Sequence, residues 1–208
     1  MAQLDSGESA DMNHPDAIDE IVVSVARSEA ERDACFALRY RVYVEELGCR
    51  IAAADHRRKL DYAAEDDTAI LFCAHSGGKL IGTVRVHHGA GMGIPRCFHE
   101  ACDLPRFLAN TPLTRMAAIG RLAIDVPYRG GKTVVTLLRD CFRVIIEDHP
   151  DTSLVFILAL DDRRLIDVSR LLGFRRVDPE RLYMMDVGLS VPMFSTIAAS
   201  PTRASRKF

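Results

Sequence analysis

The sequence has no tryptophan, no Cys-x-x-Cys pair and no apolar run long enough to cross a bilayer. Its longest apolar stretch, Leu154–Leu160, has the length of a buried strand. Absent too is an opening basic segment followed by an apolar one, the pattern of a secretory signal. Charge of neither sign dominates: 27 Lys and Arg face 29 Asp and Glu, for a net charge of -2. That removes the electrostatic ground for nucleic acid or an anionic membrane as partner. The six cysteines, Cys35, Cys49, Cys73, Cys97, Cys102 and Cys141, are scattered. They read as reduced thiols of a cytoplasmic protein.

What is present suits one globular domain. The chain has 208 residues, 48% apolar and 27% charged. Residues 1–19 are acidic, without Lys or Arg, and predict a disordered tail. Residues 20–192 form the domain, and 193–208 a loose basic tail carrying Arg203, Arg206 and Lys207. No internal repeat or central linker interrupts the domain.

Two periodicities alternate within it. Ile21–Ala26 is a short β-branched strand. Ser28 with Glu31 spells a capping box, opening a helix with Ala34, Leu38 and Val42 on one face and a stop near Gly48. Residues 69–74 and 80–86 are strands joined by a glycine turn at Gly77-Gly78. Segment 89–113 reads as loop with one short helix. Ile119–Val126 is a strand ended by Pro127, and Thr133–Glu147 a helix with Val134, Leu137, Leu138, Cys141, Val144 and Ile145 on one face. Leu154–Leu160 is a strand buried on both faces, 162–172 a helix closed by Gly173, and 174–177 and 183–187 the last strands. The order β-α-β-β-β-α-β-α-β-β predicts an α/β (α+β) fold with a mixed sheet of about 6–7 strands flanked by helices.

The sharpest local feature is the run from Val126 to Thr133, which follows a strand and opens a helix. Unpaired N–H groups and the dipole make such a helix start positive. Gly130 and Gly131 admit close backbone approach, and Arg129, Lys132 and Thr133 add charge and a hydroxyl. This is the composition of a phosphate cradle, the alternative being a tight turn with solvated basic residues. Gly131-Lys132-Thr133 also matches the end of a P-loop, but Val126 stands where the P-loop's first glycine belongs.

A resemblance covers most of the chain, from Leu38 to about Val187. Leu38-Arg39-x-x-Val42-Tyr43-x-x-x-Leu47-Gly48 resembles the first-helix motif of one branch of the GNAT acyltransferase superfamily. That branch holds acyl-homoserine-lactone synthases and long-chain N-acyl amino acid synthases. The acidic stretch Asp61–Asp67, the strand Gly82-Thr83-Val84-Arg85, the strand Ile119-Gly120-Arg121-Leu122 and the ending Leu172-Gly173-Phe174 follow in the family's order. The resemblance implies a single-domain GNAT-like fold. It implies an N-acyltransferase moving a medium or long acyl group from an acyl-phosphopantetheine thioester to the amine of a small acceptor such as an amino acid. No cofactor is permanently bound and no metal is needed. A strand N–H among Ile119, Arg121 and Leu122 would face the developing oxyanion. Arg121 would bind the acceptor carboxylate or orient its neighbours. Arg39, Tyr43, Asp61, Glu65 and Arg85 would close the acceptor side, with plain structural electrostatics as the alternative. Arg129, Gly130, Gly131, Lys132 and Thr133 would hold the donor's phosphate.

Departures from the family's pattern refine these expectations. Lys132 and Val134 occupy small-residue positions of the usual GNAT phosphate loop. A carrier protein's arm has one phosphodiester where CoA has a pyrophosphate, so the change favours acyl carrier protein as partner, with CoA still open. Ala118 stands where a glutamate is common, leaving the proton acceptor unassigned. Cys49 and Arg50 stand where lactone synthases carry tryptophan, which disfavours S-adenosylmethionine as acceptor. An acyl-thioester-binding module without turnover is the alternative reading. Cys97-x-His99-x-x-Cys102 lacks a fourth ligand for zinc. His87-His88 ends a strand and offers a second-choice base. Phe98, Leu104, Phe107 and Leu108 suit either an acyl tunnel or ordinary core.

Overall fold

The computed structural model describes residues 20–90 and 93–197. The acidic tail 1–19 and residues 198–208 of the basic tail lie outside them. The chain forms β1 (Val22–Val25), α1 (Glu29–Tyr40), β2 (Ile70–Ser76) and β3 (Lys79–His88). Two short helices follow, α2 (Arg96–Ala101) and α3 (Leu104–Leu108), then β4 (Met116–Ile124), α4 (Gly131–Asp148), β5 (Leu154–Leu160) and α5 (Arg163–Leu171). β6 (Arg175–Arg176), β7 (Tyr183–Met185) and β8 (Gly188–Thr196) complete it. The eight-stranded sheet runs β1-β2-β3-β4-β5-β8-β6, with β7 also on β8. Among the described residues only β4 and β5 pair in parallel; the other strand pairings are antiparallel.

Local signals explain the elements that the sequence made legible. Ser28 Oγ accepts from Glu31 N at 3.2 Å, and Glu31 Oε2 accepts from Ser28 N at 2.9 Å, closing the capping box of α1. Gly77 and Gly78 both have positive φ, 55° and 77°, the backbone that a two-residue hairpin between twisted strands requires. Asp162 caps α5 by accepting from Arg164 N and Leu165 N.

The sheet is covered on both faces. On one, Leu137, Leu138, Cys141 and Ile145 of α4 bury against Phe72, Val84, Ile119 and Val155. On the other, Phe98 and Leu104 pack on Met116, Ala118, Phe156 and Phe194. Alternate residues of β4 thus serve opposite cores, as a strand's period of two dictates. Segment 89–113 carries two short helices where the sequence suggested one. Phe98 and Leu104 are buried, while Leu108 is exposed.

Two expectations need correction. The sequence placed the last strands at 174–177 and 183–187, and ended the domain at 192. Instead β6 and β7 are stubs, and β8 is a full strand reaching Thr196 beside β5 along its length. Residues 193–196 therefore belong to the sheet, not to a tail. Pro192 concealed this. It falls between the β7 partners, Gly188–Ser190, and the β6 partners, Met193 and Phe194. The strand expected to run to Val126 stops at Ile124, and residues 126–128 form a single 3-10 turn.

Candidate active site

The sheet opens in its middle. β4 and β5 pair from Met116–Leu154 to Ile119–Ile157 and then separate. A bulge in β4 accompanies the split: Thr83 faces Ala123 and Arg85 faces Gly120, so β4 advances by one extra residue. Arg121 is that residue, with φ of 54°, a left-handed conformation that is uncommon outside glycine. Gly120 beside it packs on the Phe98 ring; a Cβ there would lie 3.5 Å from Phe98 Cζ, an ordinary contact.

A cleft fills the gap. Gly120, Arg121 and Leu122 line one wall, and Leu158, Ala159 and Leu160 the other. Cys97 and Phe98 line it from one face of the sheet, Val134, Leu138 and Leu165 from the other. A second groove shares Tyr43, Leu122, Val134, Leu160 and Leu165 with it and reaches Arg129 and Gly130 at the start of α4. The two hollows thus share a wall, one lying in the split sheet and the other at a helix N-terminus.

Charge gathers beside the bulge. After Tyr40, Arg41–Glu46 winds as a π-helix, a winding common at functional sites, and turns Tyr43 inward. Tyr43 donates to Leu122 O at 2.7 Å, and its ring lies 5.9 Å from the Arg121 guanidinium. Burial pushes the phenol up to about 12, so it stays a donor. Asp66 is fully buried and accepts from Arg39 Nη1 at 2.9 Å and Arg85 Nη1 at 3.2 Å. Burial alone would raise its carboxyl; Arg39 and Arg85 outweigh that and hold it below the ordinary value. Arg121 lies 3.7 Å from Asp61 and 2.6 Å from Asp186. Those two carboxylates outweigh its burial and keep it charged. Asp61 is buried with neither oxygen hydrogen-bonded, and burial pushes its carboxyl up.

Most of the expected acceptor-side residues do converge: Arg39, Tyr43, Asp61, Arg85 and Arg121 form one cluster. Glu65 does not join it. Its side chain is exposed and only its carbonyl is used, accepting from His87 Nε2 at 2.9 Å if that nitrogen carries the proton. Asp66, one residue on, takes the place expected of Glu65, because Glu65 and Asp66 point to different sides of a short 3-10 turn. Asp186, in the turn between β7 and β8, had no signal in the sequence. Ile119 still pairs with Val86 and Ile157 at the closed end of the cleft, so residues 120–122 of β4 have no partner on the β5 side. Ala118 lies in the apolar core.

The phosphate cradle also differs in detail. Gly130 lines the groove, and Lys132 is exposed. The Arg129 guanidinium instead forks onto Glu46, with Nε donating to Ile124 O at 2.9 Å. Thr133 is buried and its hydroxyl donates to Tyr128 O at 2.8 Å. Both brace the loop, and Arg129 also lines the groove. His87 and His88 turn to opposite sides, and neither lines the cleft. Among the described residues no group of His, Cys, Asp and Glu is arranged to hold a metal ion, and no helix is long and apolar enough to cross a membrane.

A mixed sheet split at a bulged strand, with a helix N-terminus at the mouth of the split, is the GNAT acyltransferase fold. The chain belongs to the family of the N-acyl amino acid synthase FeeM, whose model matches residues 34–191. The solved structure of FeeM, from uncultured soil microbes, superposes with a TM-score of 0.67 at 18% identity, covering 85% of this chain and 91% of that one. The AHL synthase LasI superposes with a TM-score of 0.64 at 13% identity, covering 86% and 90%. An L-ornithine N(alpha)-acyltransferase of Agrobacterium fabrum is 29% identical over 143 residues, 62% of this chain and 47% of that protein. The chain spans about half the length of the curated relatives it matches.

Proposed function

We propose that this protein is a cytoplasmic N-acyltransferase that moves a medium or long acyl group from a thioester to the amine of an amino acid. The observation that carries this reading is the cleft between β4 and β5 at the Arg121 cluster, which shares a wall with the groove at the start of α4. It suits a thioester arm threaded through the split, with its phosphate at Gly130, Gly131 and Lys132. The edge of β4 at residues 120–122, left without a β5 partner, then presents backbone N–H to the carbonyl oxygen. Holding both substrates against one strand supplies the proximity that aminolysis needs. The acyl chain lies against Phe98, Leu138 and Ile157. Arg121 binds the acceptor carboxylate, and Arg39, Arg85 and Asp66 support it from behind.

Acyl carrier protein is the donor we favour over CoA. Lys132 and Arg164 are exposed near the groove and make no ion pair among the described residues, so they are free to meet an acidic carrier. Ornithine, named in the curated relatives, is the first acceptor to try. The test is expression in a bacterial host with mass spectrometry of the lipid extract, against Arg121→Ala at matched soluble level. A new N-acyl amino acid made only by the unmutated protein supports the reading. Soluble, folded protein that yields none refutes it.

A further inference from the structure

The acyltransferase reading leaves one charged group at the cleft without a role. Arg121 sits between two carboxylates of different character. Asp61 is wholly buried beneath it, 3.7 Å from Nη1. Asp186 is 32% exposed and accepts from Nη2 at 2.6 Å, its only side-chain hydrogen bond among the described residues. Met185 and Val187, on either side of Asp186, line the cleft together with Arg121. Arg121 Nη1 is buried and donates to nothing. Arg121 is fixed in place by its bulged backbone, whereas Asp186 hangs from a short turn by one bond. The pair can part by movement of Asp186 alone, and Asp61 then still compensates the guanidinium.

We propose that the Arg121–Asp186 pair opens to receive the two charged ends of an α-amino acid. Arg121 takes the carboxylate, and Asp186 takes the α-ammonium and removes one proton from it as the nitrogen attacks. This inference rests on the acyltransferase reading and adds its missing proton acceptor, the role Ala118 does not fill.

Charge balance carries the argument. Arg39, Arg85 and Arg121 are matched by Asp61, Asp66 and Asp186. A zwitterion adds one charge of each sign, and both find an opposite partner. A simple carboxylate would free Asp186 beside a second anion. A simple amine would draw Asp186 from Arg121 and give the guanidinium nothing in return. Partly buried charges without partners are costly, so the site selects the zwitterion.

The proton count closes. The acceptor nitrogen enters as –NH3+ and gives one proton to an Asp186 oxygen. Its lone pair forms the C–N bond while the oxyanion is held by the β4 edge. The C–S bond breaks, and its electron pair leaves on sulfur. The thiolate takes a second proton from nitrogen, leaving amide and free thiol. Asp186 then returns its proton to solvent.

The test is Asp186→Asn, which keeps the size and removes the charge. Steady-state kinetics would use an acyl-thioester donor, and as acceptor the best of L-ornithine and the common amino acids. The same acid lacking its α-amine serves as a competitive inhibitor. The expected result is an acceptor KM raised at least tenfold with kcat also lowered, and a donor KM within twofold of the unmutated protein. The des-amino acid should inhibit the variant as well as before, or better, because Arg121 has lost its competitor. An unchanged acceptor KM overturns the proposal. So does equal weakening of acceptor and des-amino acid, which would make Asp186 a mere brace for Arg121. If the unmutated protein acylates no amino acid, the acyltransferase reading itself fails, and the inference with it.

Discussion

Glu65 and Asp66 are neighbours of the same charge, and replacing each by alanine should have very different consequences. Asp66 accepts from Arg39, Arg85 and the Ala63 N–H, the last at 2.9 Å. It is fully buried, as is Arg39, and Arg85 is nearly so. Asp66→Ala therefore leaves two buried guanidinium groups facing each other without a counter-charge. Breaking a buried ion pair from one side costs about 3–5 kcal/mol. For a domain of this size each kcal/mol moves the melting temperature by about 2–4 °C, so a fall of roughly 6–20 °C is expected. Glu65→Ala removes an exposed side chain that makes no ion pair among the described residues, and should stay within about 0.5 kcal/mol. Thermal and urea unfolding followed by far-UV circular dichroism would measure both. Equal destabilisation by the two variants, or an Asp66→Ala loss below about 1 kcal/mol, would refute the placement of the buried charge.

Two further outcomes follow from single groups. Burial, reinforced by charge repulsion from the neighbouring His149, holds the His88 imidazole down at about 4, below its ordinary 6.5. Between those values the unfolded chain binds a proton that the folded one refuses. Stability should therefore fall as pH drops from 6.5 to 4 and should carry no His88 contribution to the slope below that. His88→Gln should lose this part of the slope in urea titrations across the window, and an unchanged slope would show that another group causes it. At Gly89 an added Cβ would lie 1.9 Å from the Leu113 carbonyl oxygen. Because that neighbour is backbone, Gly89→Ala should cost at least about 2 kcal/mol in the same assay, and a neutral result would mean that the segment before α2 is displaced from this position.

Much of the architecture was readable because it rests on short-range rules. The Ser28 capping box, the Gly77-Gly78 hairpin, the apolar face of α4 and the run of β5 each depend on residues within a few positions of one another. The motif order from Leu38 to Phe174 further grouped Arg39, Tyr43, Asp61, Glu65 and Arg85 near Arg121, and the fold brings all of these but Glu65 together.

What the chain alone could not reveal depends on contacts distant in sequence. Whether Glu65 or Asp66 carries the buried charge is set by which of them meets Arg39 and Arg85. That Arg129 pairs with Glu46, 83 positions away, is likewise invisible in the chain. Nothing local marks Asp186 as a partner of Arg121, 65 positions earlier. β8 is disguised by Pro192 and becomes a strand because β5 offers it a full-length edge. The bulge at Arg121 exists because β3 and β4 differ by one residue in register, and register is a property of the pair. Sequence by itself determined the segments, their order and the kinds of charge available. Tertiary structure alone decided which charges meet and where the sheet splits, because burial and pairing energies act between segments that only folding makes neighbours.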